Sequence, residues 1–300
     1  MKPLDLHMLF SLATLSILGA CSSGSGGGSG VPTEPIGITE DNAAQVAAGM
    51  PMTSSLIEFQ EFMGFESLTA QGTGTFACPD GGSITAAFQV DAAPVGEVST
   101  GDRFVVTFDD CMMDPSSTID GGIAIDFDTI TGDWLVDDVW EVDLGFEVNG
   151  LTFSSGPATG FFDGQWSQNA SQDTDNSAFS LAGDFTAAVD DGAGLEASAL
   201  NGLVLTWAYD ALAAEATYSV DGRFASTVLG GSVTVTTLTP FVVRDGDLNA
   251  YTGSMRATGA LGSSLTFTVL DETFVQLDVD ADGDGIDEFT MTLSWVELEE

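Results

Sequence analysis

The chain has 300 residues, of which 46 are acidic and only five are lysine or arginine, so its formal net charge at neutral pH is −41. Such a charge repels nucleic acid and anionic lipid headgroups and favours cations or cationic partners. Of the two interpretations, a solubility adaptation to salty surroundings is favoured over a functional charge. With 44% hydrophobic and 17% charged residues, the composition is that of a folding chain and not of a disordered one.

The amino-terminal residues indicate export. Met1–His7 carries one lysine, and Met8–Leu18 is an apolar run much shorter than the roughly 20 residues that a membrane-spanning helix needs. The run leads through Leu-Gly-Ala to Cys21, and this ending resembles the lipobox of bacterial lipoproteins. The alternative is an ordinary secretory signal that happens to contain a cysteine.

The resemblance to lipoproteins implies that residues 1–20 are cleaved as a signal peptide and that Cys21 is lipidated. Several acyl chains, at about 0.8 kcal/mol per buried CH₂, make such a lipid anchor effectively permanent in the membrane. Ser22 stands where an aspartate would imply retention in the inner membrane, so the resemblance implies the outer membrane, on its periplasmic or surface face. The rest of the chain resembles the envelope lipoproteins that are common in Gram-negative bacteria.

Residues 21–35 are predicted to form a tether ahead of the folded part. Ser22–Gly30 contains only serine and glycine, which is the composition of a flexible linker. Thr39 can cap a helix over Glu40–Ala48, which has acidic residues in its first turn. The apolar spacing of Ser54–Met63 predicts a second helix.

After the helices the hydrophobic period changes to two, which is typical of half-buried strands. Clear examples are Arg103–Phe108, Ser232–Thr239 and Val275–Val279, and we expect roughly a dozen strands. Helix–strand alternation is absent, so we predict a mainly β fold: a large antiparallel β-sandwich or a curled open barrel with one or two short N-terminal helices. Residues 36–300 are predicted to be a single β domain, the alternative being two domains joined in the polar segment Ser167–Ser177.

Clusters of glycine, asparagine and aspartate punctuate the β region, and each is predicted to be a hairpin turn. A weak alanine-rich helical pattern at Asp210–Ala216 is the exception to the strand pattern. The predicted turns are Asp80–Gly82, Asp120–Gly122, Asn149–Gly150, Asp190–Gly192, Asp221–Gly222, Gly230–Gly231 and Asp245–Asp247.

The residue inventory excludes several kinds of catalysis. His7 is the only histidine and Lys2 the only lysine, and both leave with the signal peptide. Histidine-dependent triads, histidine-ligated zinc or copper and lysine Schiff bases are therefore excluded. Carboxylate chemistry remains, as in glycan hydrolases, but no pair stands out, so no catalytic residue is assigned and solvated carboxylates are the alternative. The carboxylates considered are Asp109, Asp137, Asp138, Glu141 and Asp163.

Two cysteines remain after Cys21, and in an exported protein the pair Cys78 and Cys111 predicts a disulfide. A redox-active pair is the alternative. Their spacing is not that of a CxxC motif, and the mature chain has no histidine or lysine to lower a thiol pKa. We therefore expect a structural bridge.

The sharpest local motif is Asp278–Glu288, with the sequence DVDADGDGIDE. It resembles a calcium loop of the Asp-x-Asp-x-Asp-Gly type, set in a β-hairpin because strands are predicted on both sides and because position twelve is methionine. The alternative is a solvated hairpin turn without a metal. The predicted calcium ligands are Asp280, Asp282, Asp284, the carbonyl of Ile286 and Glu288.

The five tryptophans and 20 phenylalanines are predicted to be core residues, the alternative being that they line a sugar or lipid site. The leading hypothesis is a non-enzymatic, envelope-anchored β domain that binds or scaffolds, stabilised by calcium, with a protein or glycan partner that the sequence does not specify. The alternatives are a periplasmic carrier of a hydrophobic ligand such as an acyl chain, and a carboxylate-dependent glycan hydrolase.

Overall fold

Several predictions lie outside the residues that the structure describes: the signal peptide, Cys21, the second helix at Ser54–Met63 and one of the tryptophans assigned to the core, Trp134. The structure is a computed structural model, and it describes residues 30–50, 73–89, 98–132, 137–192 and 194–299.

The described residues form one antiparallel sheet of 14 strands, in which each strand pairs with its neighbours in sequence. The sheet is not closed into a barrel, and the prediction of a mainly β antiparallel fold is confirmed. The strands are β1 (Gly74–Ala77), β2 (Gly81–Gln89), β3 (Arg103–Asp114), β4 (Ser117–Thr131), β5 (Trp140–Ser155), β6 (Ala158–Gln172), β7 (Asn176–Asp190), β8 (Leu195–Asp210), β9 (Glu215–Ser226), β10 (Gly231–Arg244), β11 (Thr252–Thr258), β12 (Ser264–Val269), β13 (Phe274–Asp280) and β14 (Phe289–Ser294).

The sheet has one apolar face and one polar face, as the period of two predicts. Cross-strand partners share a face, and the row Phe104, Ile125, Phe146 and Trp166 is buried from β3 to β6. The Phe146 and Trp166 rings stack with centroids 4.8 Å apart. The aromatic residues of this row therefore belong to the core, as predicted.

The turns alternate between two ends of the sheet because every pairing is an antiparallel hairpin. The chain enters at one of them, where Ile36 N donates to Ser232 O at 3.1 Å and Ala260 N donates to Ile36 O at 2.6 Å. We call this the entry end, and the opposite one the far end. The entry end carries the turns 227–230, 259–263 and 281–288, and the far end carries the turns 211–214, 245–251 and 270–273.

The helix predicted over Glu40–Ala48 is confirmed. A 3₁₀ turn at Glu40–Asn42 leads into helix α1, Ala43–Gly49, whose Val46 is fully buried. Thr39 N donates to the Asn42 side chain at 2.8 Å, which closes the first turn. Helix α1 lies on the apolar face beside β12 and β13, so it covers part of the core.

The chain ends in a second short helix, α2, at Trp295–Glu299. The alternation of Phe289, Met291, Leu293 and Trp295 predicts that these residues share one face of a single strand. The strand β14 ends at Ser294, so the prediction is wrong for Trp295. Trp295 is nevertheless buried, and its ring lies 5.6 Å from that of Phe267.

Four of the predicted turns lie at hairpin turns, and three do not. Asp120–Gly122 lies within β4, Asn149–Gly150 within β5 and Asp221–Gly222 within β9. The polar segment Ser167–Ser177 is also mostly strand, with only residues 173–175 between β6 and β7, and the alanine-rich pattern at 210–216 is a turn at 211–214. The correct turns are Asp80–Gly82, Asp190–Gly192, Gly230–Gly231 and Asp245–Asp247.

The mispredicted Asn149–Gly150 is a β-bulge. The register of β5 on β6 skips from Val148 to Leu151, and Gly150 has a φ of +55°. The Gly150 N–H, which the skip leaves without a ladder partner, donates to Asp163 Oδ2 at 2.9 Å. A carboxylate on the neighbouring strand thus completes the hydrogen bonding of the bulge.

Candidate metal centre

The calcium-like motif forms the turn between β13 and β14. Asp280 is the last residue of β13 and Phe289 the first residue of β14. Glu288 N donates to Val279 O at 2.9 Å, so the two strands remain paired up to the mouth of the loop. The sequence predicted both the strands and the loop at this place.

Four of the five predicted ligand residues converge. One carboxylate oxygen from each of Asp280, Asp282, Asp284 and Glu288 lies within 4.8 Å of the others. Asp280 is buried, with 6% of its surface exposed, whereas the other three are exposed. The cluster therefore has one buried member at its base and an open side toward solvent.

Backbone N–H groups fix the two carboxylates at the ends of the motif. Asp280 Oδ1 accepts from Gly283 N at 2.7 Å and Asp280 Oδ2 from Gly285 N at 2.9 Å. Glu288 Oε2 accepts from Ala281 N at 2.7 Å. Gly283 and Gly285 have φ values of +78° and +88°, which explains why both positions are glycine.

Ile286, whose carbonyl was predicted as the fifth ligand, lies in the same loop. Its N–H donates to Asp284 Oδ1 at 2.8 Å, and its side chain is 67% exposed. A metal role for the carbonyl stays a prediction.

The donor set is made of hard oxygen atoms, which suits a hard cation and not a thiolate- or imidazole-seeking metal. Two unit charges at this separation repel by about 1 kcal/mol in water and by several-fold more at the lower effective dielectric near a protein surface. A cation in the middle would turn this repulsion into attraction. The arrangement can therefore hold a metal ion and join β13, the turn and β14 through it.

The loop also touches the neighbouring turn at the entry end. A Cβ atom on Gly283 would lie only 2.7 Å from the Leu261 carbonyl oxygen, so the two backbones are in close contact. The 259–263 turn also contacts the entering chain, because Ala260 N donates to Ile36 O. The turn therefore lies between the loop and the entering chain and contacts both. The order of the loop is thus coupled to the place where the chain joins the sheet.

The predicted disulfide is confirmed. Cys78 and Cys111 are bonded, with Cα atoms 5.5 Å apart and a sequence separation of 33. Both residues are buried. The bridge ties the β1/β2 turn to β3.

The carboxylates considered for catalysis are spread over the sheet. Asp109 lies in β3, Glu141 in β5 and Asp163 in β6. Asp137 and Asp138 precede β5 at the far end. Asp163 holds the bulge described above, and Glu141 Oε1 accepts from the Asn169 side chain at 3.3 Å.

Two depressions on the described part of the sheet were not found by sequence reasoning, because they depend on strand register. One, of about 220 Å³, is lined by Glu147, Asp163 and Asp184, whose strands are adjacent in the sheet. The other, of about 390 Å³, is lined by Asp128 and Asp143 among others. The first is lined mainly by polar groups, whereas the second also has leucine, alanine and valine side chains in its walls. Both are open to solvent, unlike the enclosed apolar cavity that the carrier hypothesis requires.

Arg103 forms the main ion pair near the first depression. Its guanidinium donates to Asp126 Oδ2 at 2.6 Å and to Glu147 Oε2 at 2.9 Å. The pKa of Glu147 is lowered from its ordinary value, first by a hydrogen bond from the Asn149 side chain and then by the bond from Arg103. Glu147 is therefore held as a carboxylate.

Comparison of the chain with models of protein families, with curated proteins and with solved structures found no match in any of the three. Within the described ranges, no helix combines the length and the apolar character that a membrane crossing needs.

Proposed function

We propose that the protein is an outer-membrane lipoprotein, anchored through acylated Cys21, whose non-enzymatic β domain binds or scaffolds and is stabilised by Ca²⁺ in the loop 280–288. The convergence of four carboxylates in a hairpin turn carries the proposal. In this function the ion is structural: it fastens the last hairpin of an open sheet.

The donor chemistry favours calcium over magnesium. Ca²⁺ takes about six to eight oxygen ligands in flexible geometry, whereas Mg²⁺ demands a near-ideal octahedron and is seldom held by a cage made of protein groups alone. The four carboxylates, with oxygens within 4.8 Å of one another, supply the kind of donor set that Ca²⁺ takes from proteins. The open side of the cluster leaves room for water molecules and for the Ile286 carbonyl to complete the coordination.

Two further features support the exported location. The disulfide Cys78–Cys111 is typical of proteins that fold in an oxidising compartment. The amino-terminal resemblance to a lipobox supplies the anchor, and the Ser/Gly segment after Cys21 supplies a tether to the folded part.

Thermal unfolding of the purified full-length protein tests the metal role. We expect the midpoint to rise with excess CaCl₂ over EGTA, and to rise less with MgCl₂. An Asp282→Asn/Asp284→Asn variant should lose the calcium response. In EGTA it should melt at or above the temperature of the unchanged protein, because carboxylate repulsion is relieved.

The chain provides a matched control for this variant. Asp245-Gly246-Asp247 has the same tripeptide sequence as Asp282-Gly283-Asp284, but it forms the β10/β11 turn at the far end. Asp245→Asn/Asp247→Asn removes the same charge and should keep the full calcium response. Equal midpoints of the unchanged protein in CaCl₂ and EGTA, or equal loss in both variants, would contradict the metal proposal.

The anchor is tested separately in a Gram-negative host. We expect the unchanged protein to fractionate with the outer membrane and to carry an acylated amino-terminal cysteine by mass spectrometry. The Cys21→Ser variant should leave the membrane fraction. An unmodified thiol on a soluble mature protein would contradict the anchor and leave the calcium result standing.

A further inference from the structure

Large apolar side chains are exposed in successive turns at the far end of the sheet. Leu212, in the β8/β9 turn, is 82% exposed, and Leu248, in the β10/β11 turn, is 96% exposed. Leu270 and Phe274 flank the β12/β13 turn, and Val296 lies in α2; each is exposed by 45% or more. Isolated exposed leucines are ordinary, but here exposed apolar residues recur in neighbouring turns at the same end of the sheet.

These turns are joined to one another by hydrogen bonds. Asp245 N donates to Ala214 O at 2.9 Å, which links the β10/β11 turn to the β8/β9 turn. The Asn249 side chain donates to Glu272 O at 3.2 Å, which links it to the β12/β13 turn. Trp295 N donates to Thr273 O at 3.1 Å and adds α2. We call this set of three turns and α2 the far rim.

The far rim is held in place before any partner binds. Neighbouring hairpins are two strands, or about 10 Å, apart, so the rim extends over about 30 Å. The turns are already ordered by the hydrogen bonds between them. Binding of a partner would therefore cost little conformational entropy in these turns. The length matches a helix of about 20 residues.

The charge of the far rim is negative. Asp247 and Asp271 lie in the turns beside the exposed apolar residues, and Glu297 lies in α2. Arg244 is the one cation in the described part of this rim; it donates to Glu272 at 2.8 Å and lies 3.8 Å from the centroid of the Tyr251 ring. The surface thus offers apolar contacts among carboxylates.

We infer that the far rim is a docking surface for a cationic amphipathic segment of a partner protein. Apolar side chains of the segment would pack on Leu212 and Leu248, while its lysines and arginines would pair with the rim carboxylates. A second copy of the chain, with a charge of −41, and an anionic membrane are both repelled. The inference depends neither on calcium nor on the membrane anchor.

The test uses the purified full-length protein and a 20-residue helical probe peptide with leucines on one face and lysines elsewhere. Fluorescence anisotropy is read at physiological salt, where diffuse charge attraction is screened. The Leu212→Ser/Leu248→Ser variant should bind the peptide at least about tenfold more weakly, because two apolar contacts are lost and no charge changes. A scrambled peptide of the same composition should bind the unchanged protein as weakly as the helical peptide binds the variant.

Leu195→Ser/Leu261→Ser is the matched control, since these two exposed leucines lie at the entry end. It should bind as the unchanged protein does. Equal losses in both variants, or equal binding of the scrambled peptide, would overturn the inference. Binding to phosphatidylcholine vesicles that is lost only in the rim variant would also overturn it, by assigning the rim to lipid. A missing calcium response in the melting experiment would leave this result unaffected.

Discussion

The two edges of the open sheet are fastened by different chemistry. At the amino-terminal edge, the disulfide Cys78–Cys111 ties the β1/β2 turn to β3. At the carboxyl-terminal edge, the β13/β14 hairpin is closed by the acidic loop 280–288 and followed by helix α2. Edge strands fray and invite wrong pairing unless something holds them. One edge is thus held irrespective of ions, whereas under the proposed function the other is fastened by a cation.

Breaking the covalent edge has the largest expected effect. For a loop of 33 residues, loss of the bridge in a Cys78→Ser/Cys111→Ser variant should lower the free energy of unfolding by about 3.5–4 kcal/mol on the chain-entropy estimate. Denaturant unfolding measures it. Reductant should have the same effect on the unchanged protein and none on the variant; unchanged stability would show that the native bridge adds nothing.

Removing the cation should loosen only the opposite edge. At a calcium concentration about a hundred times its Kd, binding stabilises the folded state by about 2.7 kcal/mol, equivalent to about a hundredfold in amide protection. Hydrogen exchange in EGTA should therefore speed up in β13 and β14 by up to about that factor, with little change in β2 and β3. Uniform acceleration over both edges would contradict the local role of the loop.

The contact between the loop and its neighbouring turn should contribute less. Gly283→Ala brings a Cβ to 2.7 Å from the Leu261 carbonyl oxygen in addition to the strain of a positive φ. Gly285→Ala has the same kind of strain, but its Cβ would meet no atom within 4 Å. The backbone strain of a positive φ should lower the free energy of unfolding by about 1 kcal/mol in each variant. The clash with the Leu261 carbonyl should lower that of Gly283→Ala by at least about 1 kcal/mol more. Equal unfolding free energies of the two variants would show that the loop 280–288 and the 259–263 turn are not in tight contact.

The smallest effect is expected at the half-buried ion pairs that Arg103 forms between the two edges. Arg103→Gln should lower stability by at most about 1 kcal/mol, and by less at high salt. Because the pKa of Glu147 is lowered in the folded state, its contribution is present above the ordinary value of 4.5 and is lost as the pH falls through the lower folded-state pKa. Unfolding curves of variant and unchanged protein should therefore converge in acid; a difference that persists there would point to packing.

The sequence predicted the elements that depend on local patterns. Strand alternation, the helix after Thr39, the cysteine pair and the acidic hairpin loop can each be read from a few neighbouring residues. Asn149–Gly150 was mistaken for a turn because a bulge and a hairpin turn both require a residue with positive φ. Only the position of Asp163 on the next strand distinguishes them, and that position follows from register.

The parts of the site that escaped prediction are those made by pairing. Nothing near Gly283 in sequence indicates that it faces Leu261, and nothing near Leu248 indicates that its turn bonds to Ala214 and Glu272. These contacts depend on which turns the strand order brings to the same end. A sequence pattern gives the periodicity of each strand but not its register relative to the neighbouring strands.

The strictly sequential strand order also bears on how the molecule assembles. Each strand joins the one just before it, so the entropy of closing each loop stays small and contacts are local, a topology associated with rapid folding. A chain that emerges amino end first could add its strands one at a time to a growing edge. Among the described strands the acidic hairpin comes last in that order, so an ion captured there would bind after the strands before it have been added.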